Sequence, residues 1–195
     1  MSQTTNKVTD RGFNLEVSEN LWPEIQEVFD WYVDNFKFVP NLARVMSEAP
    51  ALLRSYWRTQ LHLMELGTLS PEENNIVQMA VAVENKCRYC ASGHILAGRM
   101  VFGSSEEVMA ALKEQAELPE AKFNALRAFA LEGYRTQGRI SDEALRAFFD
   151  AGYTRAQALD VVTNISTKVM SNFTNHMSHN ELDEPIKPLA EGLQF

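Results

Sequence analysis

Both cysteines of the chain, one of its four histidines and a glutamate fall within VENKCRYCASGH, residues 83–94. Glu84, Cys87, Cys90 and His94 stand three, three and four positions apart. On an uninterrupted helix they share an arc of about 120°, and side chains at these spacings reach one another. A thiol becomes a strong nucleophile when a helix N-terminus or a nearby cation stabilises its thiolate, and a second cysteine three residues away can then close a disulfide. If the chain breaks at Asn85 and Lys86, Cys90 enters the first turn of a new helix, with Lys86, Arg88 and His94 close in sequence. Peroxide would then oxidise Cys90 to a sulfenic acid, which Cys87 resolves as a disulfide. His94 and Glu84 are the candidate proton carriers.

Other readings of the same residues stay open. Cys87, Cys90, His176 and His179 make a two-cysteine, two-histidine zinc set if the last helix approaches the first cysteine. Both cysteines also suit the role of small buried hydrophobes. Haem attachment requires a histidine directly after the second cysteine, where Ala91 stands.

The elements that position these residues read as helices. Trp22, Ile25, Val28, Phe29, Tyr32, Val33 and Phe36 recur at three and four. VPNLARVMSEAP is a short helix between prolines, and ALLRSYWRTQLHLMELG a longer one ended by Gly67. Ser70, Pro71 and Glu73 form a capping box before the stretch that leads to the cysteines, and the helix holding Cys90 stops at Gly103. Further starts are Ser104 with Glu107, Pro119, Ser141, and Thr154 with Gln157. Strand alternation is missing, so the expected fold class is all-α, with roughly eight helices. We expect a single domain over 1–195, with an N-terminal arm at 1–20 and an extended tail at 181–195 packed on the body or on a neighbour. A faint echo places His176 four after Asn172, as His94 stands four after Cys90.

A hydrophobic share of 45% is enough for a sizeable core, and a net charge of −8 with pI near 5.1 excludes a nucleic-acid footprint. No stretch of about 18 apolar residues and no signal-like N-terminal run is present. The expectation is therefore a soluble, cytoplasmic protein, where two cysteines three apart point to catalysis or metal rather than a structural staple. His62 is expected to be a helix-packing residue, and His176, His179, Asn172 and Asn175 a buried polar cluster. Trp22, Phe29, Tyr32, Phe36 and Trp57 are expected in the core or an interface, and Tyr89 and Ser92 at a pocket mouth.

CRYCASGH, preceded by LSPEENNIVQMAVAVEN, resembles the carboxymuconolactone decarboxylase and alkylhydroperoxidase D superfamily, whose signature is Cys-x-x-Cys-x-x-x-His. FKFVPNLARVMSEAPALLRSYW and NFTNHMSHNELDEP resemble one branch of it, so the likeness spans most of residues 36–185. The resemblance implies an all-α fold forming trimers or hexamers and a thiol-dependent hydroperoxide reductase with no metal or prosthetic group. Residue by residue it implies Cys90 as attacking thiol, Cys87 as resolving thiol and His94 in the proton relay. The relay glutamate of alkylhydroperoxidase D stands twelve before the first cysteine, where this chain has Asn75. Glu84 resembles the glutamate of branches reading Glu-Asn-x-Cys and is the expected replacement. Muconolactone decarboxylases proper lack the cysteine pair.

The expected function is a homo-oligomeric thiol peroxidase, acting on hydrogen peroxide or organic hydroperoxides. Its disulfide reductant would be a thioredoxin-like protein, a lipoyl domain or a small thiol. The alternative is a redox-sensing or zinc-stabilised interaction protein.

Overall fold

Helix start signals written into the sequence are made as hydrogen bonds in the structure, a computed structural model describing residues 12–13, 15–17, 20–193 and 195. The arm expected over 1–20 lies largely outside the described residues. Among these are nine α-helices and no strand. In order they are α1 (Pro23–Phe36), α2 (Asn41–Met46), α3 (Pro50–Glu65), α4 (Pro71–Glu84), α5 (Arg88–Ala97), α6 (Glu106–Glu114), α7 (Ala121–Arg135), α8 (Asp142–Asp150) and α9 (Arg155–Ser178). Ser70 Oγ accepts from the Glu73 N–H at 3.1 Å, and the Glu73 carboxylate accepts from the Ser70 N–H at 2.8 Å. Thr154 and Gln157 repeat the arrangement at 3.2 and 2.8 Å. Each such cap contributes about 1 kcal/mol.

One start differs from expectation by a residue. Ser105, not Ser104, caps α6, its Oγ accepting from the Val108 N–H at 3.2 Å. Ser104 is buried, and its Oγ accepts from Asn75 Nδ2 at 3.0 Å. A polar contact made across the fold has overridden the local capping pattern.

Helix α4 is the centre of the molecule. Every residue from Glu73 to Val83 is buried, because α4 packs against α5, α6, α7 and α9. A helix enclosed on all sides carries no narrow apolar stripe, and each large aliphatic side chain on it contributes about 1.5–3 kcal/mol through burial. Helix α9 is built the opposite way round. Asn164, Thr167, Lys168, Ser171, Asn172, Asn175 and Ser178 are buried, whereas Leu159, Val162, Phe173 and Met177 are at least half-exposed. The inward polar groups find partners. Gln78 Nε2 donates to Asn164 Oδ1 at 2.8 Å, Asn164 Nδ2 donates to Asn74 Oδ1 at 2.8 Å, and Gln60 exchanges amide bonds with Gln78 at 2.9 and 3.0 Å. These bonds fix α3, α4 and α9 in register, since a slip would orphan several buried amides at once.

The tail folds back as turns with a short 3₁₀ segment, Pro188–Ala190, on α5. Asp183 anchors it, accepting from the Asn41 N–H at 3.0 Å and from the Tyr89 hydroxyl, while Arg88 donates to the Ala190 carbonyl at 3.4 Å. Among the described residues no helix is long and apolar enough to cross a membrane.

Candidate active site

The two cysteines sit at a helix junction. Lys86 adopts a left-handed conformation, φ 53°. The Lys86 N–H donates to the Val83 carbonyl and the Cys87 N–H to the Ala82 carbonyl, each at 2.9 Å. This pair of bonds is a Schellman motif, which ends α4. Cys87 is then the N-cap of α5, and Cys90 is the third residue of its first turn. The single helical stripe expected for Glu84, Cys87, Cys90 and His94 is therefore not formed: the left-handed residue between Glu84 and Cys87 re-aims the chain.

The structure brings Cys87, Cys90 and His94 together and leaves Glu84 apart from them. The Glu84 carboxylate is clasped by Arg135 of α7 in two bonds of 2.6 and 2.7 Å, and that guanidinium holds it below the usual carboxylate range. Both thiols are free and buried. The Cys87 thiol donates to Cys90, and this bond, with burial, pushes Cys87 far up. Burial alone would raise Cys90 too. The Cys87 hydrogen bond, the charge of Lys168 and the nearby polar groups of Ser171 and Asn172 prevail and bring it down to about 6. The N-terminus of α5 adds its dipole in the same sense. Asn175 Nδ2 also donates to Cys90 Sγ at 3.2 Å.

His94 is buried between two helices. Asn75 Nδ2 donates to Ser104 Oγ at 3.0 Å and to Met109 Sδ at 3.2 Å, so Asn75 Oδ1 faces the ring and accepts from His94 Nδ1 at 2.9 Å. The hydrogen therefore resides on Nδ1, and Nε2 is left as the acceptor for the Lys168 amine at 2.5 Å. Burial, then the Lys168 charge, pushes the imidazole well below its ordinary value and keeps it neutral. Helix α5 runs on into a π-helical turn, Gly98–Phe102, that closes over Asn75. A Cβ on Gly98 would come within 2.8 Å of Asn75 Nδ2 and of Met109 Sδ, so only glycine permits this approach.

The other expected residues are more scattered. His176 and His179 are exposed, the latter ending α9, and among the described residues no group of His, Cys, Asp or Glu is arranged to hold a metal. The zinc set thus does not assemble, because the α9 side chains reaching the cysteines are Lys168, Ser171, Asn172 and Asn175. Asn172 Oδ1 accepts from Asn85 Nδ2 at 2.7 Å. His62 is exposed rather than packed. Ser92 bonds its own helix at Arg88 O, 2.8 Å away, while Tyr89 lines a cavity.

That cavity, of about 130 Å³, opens above Cys90. Tyr89, Cys90, His94, Lys168 and Asp183 form its polar wall. Trp31, Tyr32, Phe36, Phe38, Tyr56, Trp57 and Phe102 add aromatic rings, and aliphatic side chains complete it. Of the aromatics expected in the core or an interface, Phe29 and Trp57 are buried in the core, Tyr32, Phe36 and Trp57 line the cavity, and Trp22 is 68% exposed. Lys168, Ser171, Asn172 and Asn175 beside Cys90, and Asn75 beside His94, are the site contacts that the cysteine motif did not disclose.

Residues 50–132 match the carboxymuconolactone decarboxylase family. The chain is similar in structure to an alkylhydroperoxidase AhpD core, a peroxidase-related protein from Ralstonia eutropha JMP134. The TM-score is 0.79 at 20% identity, over 89% of this chain and 93% of that one. A peroxidase-related protein from Silicibacter sp. TM1040 gives 0.75 at 21%, over 89% and 92%. The debrominase Bmp8 gives 0.72 at 16%, over 88% and 92%. The same values hold for its form with a cysteine replaced by alanine, bound to 2,3,4-tribromopyrrole. These likenesses establish the AhpD-like all-helical fold. No curated protein sequence matches the chain.

Proposed function

We propose that this chain, which carries a carboxymuconolactone decarboxylase family segment in an AhpD-like fold, is a thiol-dependent peroxidase. The observation that carries the reading is the asymmetry of the dithiol: Cys90 is drawn down to about 6 by Cys87, Lys168 and its α9 donors, while Cys87 is held as a thiol. The Cys90 thiolate attacks the outer peroxide oxygen, the O–O bond breaks and Cys90 becomes a sulfenic acid. The leaving alkoxide takes the proton shared by Lys168 Nζ and His94 Nε2. Cys87 then attacks the Cys90 sulfur, and hydroxide leaves with the Cys87 proton as water. One hydroperoxide and two thiols yield one alcohol, one water and one disulfide.

In this reading Asn75 sets the tautomer of His94, and Lys168 supplies the proton that a carboxylate relay would otherwise carry. Glu84 ties α4 to α7. Both thiols are buried, which favours a small dithiol entering through the cavity as reductant over a bulky protein surface. The exposed apolar face of α9, with Leu159, Val162, Phe173 and Met177, supports the expected homo-trimer or hexamer.

The aromatic cavity favours a second electrophile for the same thiols, a halogenated ring. Cys90 would take the halogen, the ring carbon a proton, and Cys87 would release halide as the disulfide forms.

The peroxidase reading is tested by following hydroperoxide consumption with a small dithiol in excess. Wild-type protein should turn over repeatedly with one dithiol oxidised per hydroperoxide, and Cys90→Ser should fall to the uncatalysed rate. Unchanged consumption in Cys90→Ser would refute it.

A further inference from the structure

The cavity beside Cys90 has a definite size and wall chemistry. Its volume of about 130 Å³ is close to that of an engineered protein cavity of roughly 150 Å³ that binds benzene. The chemistry of the wall agrees with the size. Trp31 meets Tyr32, Phe36 and Trp57 with ring centroids 5.3, 6.0 and 6.3 Å apart. These are edge-on and tilted arrangements that leave ring faces and edges for a further ring. Trp31, Tyr32 and Phe36 belong to α1, upstream of residues 50–132, so part of the aromatic wall comes from outside the family segment, while Tyr56, Trp57 and Phe102 come from within it.

The opposite wall carries spare donors. Lys168 is 1% exposed and lines the cavity, yet its amine has one hydrogen-bond partner among the described residues, His94 Nε2. An ammonium offers three N–H bonds, and burying donors without acceptors is costly. The buried indole N–H of Trp57, another lining residue, has no partner among the described residues either. A ligand here therefore gains by bringing an oxygen acceptor. Charge argues for a neutral one: the Cys90 thiolate already balances Lys168, and a carboxylate would be repelled by it.

We infer that the cavity is a binding site for a single aromatic ring bearing an uncharged oxygen acceptor, directed at Lys168. Resting on the peroxidase reading, its reactive ligand is an aryl-substituted hydroperoxide rather than hydrogen peroxide or a long aliphatic one. The ring takes the α1 wall and the peroxide lies between Lys168 and Cys90. Nothing in the stoichiometry changes: the aryl alkoxide leaves with the Lys168 proton.

Two measurements keep the ring site and the peroxidase reading separable. Phenol should quench tryptophan fluorescence of the Cys90→Ser protein saturably at millimolar concentration, since Trp31 and Trp57 flank the site. In wild-type protein, kcat/KM for cumene hydroperoxide should exceed that for tert-butyl hydroperoxide, and for the linear nine-carbon hydroperoxide, by about tenfold or more. Gly93 lines the cavity, and a Cβ there meets nothing within 4 Å. Gly93→Leu therefore fills the space while replacing a poor helix former with a good one. It should lose both the quenching and the preference. Saturable phenol binding without thiol oxidation by any hydroperoxide would sink the peroxidase reading and leave the ring site standing. Hydroperoxides consumed without preference for the aryl compound, no phenol quenching, or unaltered binding in Gly93→Leu would each overturn the ring site.

Discussion

Replacing Lys168 with methionine should slow the reaction of Cys90 with hydroperoxide at pH 6.5 by at least about a hundredfold. Two effects add and one opposes. Without the buried charge, desolvation regains control and Cys90 returns towards or above the ordinary thiol value of about 8.5, so little thiolate remains at that pH. A more basic thiolate is also a better nucleophile. With a Brønsted slope of about 0.4–0.5, this recovers close to half of the loss on a logarithmic scale. Removal of the proton donor to the alkoxide costs a further ~10² or more. The sign of the pH dependence follows. In wild-type protein the rate should fall about tenfold per pH unit below pH 6 and level off above pH 7, because the thiolate of a group at about 6 is by then fully formed. In Lys168→Met the rising limb should move up by two units or more, which the ultraviolet absorbance of the thiolate would read independently. Methionine fills the place of the lysine stem, and Cys90 avoids the cost of a buried unpaired charge by staying protonated. Glu84→Gln provides the contrast. It breaks the clasp with Arg135, a partly exposed pair whose loss costs about 1 kcal/mol or less, and should leave the rate within about twofold. Equal losses in the two variants would move the relay to the carboxylate.

Cys87→Ser should abolish turnover while sparing the first attack. Serine keeps a hydrogen-bond donor toward Cys90, so the Cys90 thiolate still forms and still breaks the O–O bond. The sulfenic acid then has no thiol within reach, and a trapping reagent should label it on Cys90 at one equivalent per chain. Order within the cycle also rests on this pair. While Cys90 is a thiolate, its charge and its acceptor role keep Cys87 protonated. Once Cys90 is oxidised, that restraint disappears and Cys87 is free to ionise and attack. In the converse variant, Cys90→Ser, the remaining buried Cys87 should stay unlabelled under the same exposure.

The local parts of this arrangement were legible in the sequence because neighbours in the chain make them. The Ser70–Glu73 and Thr154–Gln157 boxes, the break at Asn85 and Lys86, and Cys90 in the first turn of a new helix all follow from spacings of a few residues. A helical wheel groups Glu84 with the thiols because it assumes one continuous helix, and a left-handed Lys86 breaks that assumption. The longer contacts had no such trace. Lys168 is 74 positions from His94, and Asn75 is 19 from it. Helix α9 reversed the usual inference, since its polar residues at three and four apart mark the buried face and its apolar ones the exposed face. A lysine, three asparagines, two serines and a threonine on one stripe of an otherwise well-formed helix were the available signal. Periodicity alone assigns such a stripe to solvent, and only the packing of α9 against α4 shows otherwise. The apolar period along α1 omits Trp31, which lines the cavity, and includes Trp22 and Val33, which are exposed, and period alone does not distinguish a core wall from a cavity wall.

The fate of the two thiols in a single turnover tests the dithiol chemistry most directly. Fully reduced wild-type protein should be mixed with one equivalent of hydroperoxide, quenched with an alkylating agent and weighed by mass spectrometry. Loss of both free thiols in each chain that has reacted, with a peptide linked between Cys87 and Cys90, is the predicted result. Thiols that remain alkylatable after the hydroperoxide is consumed, or a disulfide found only between chains, would contradict it.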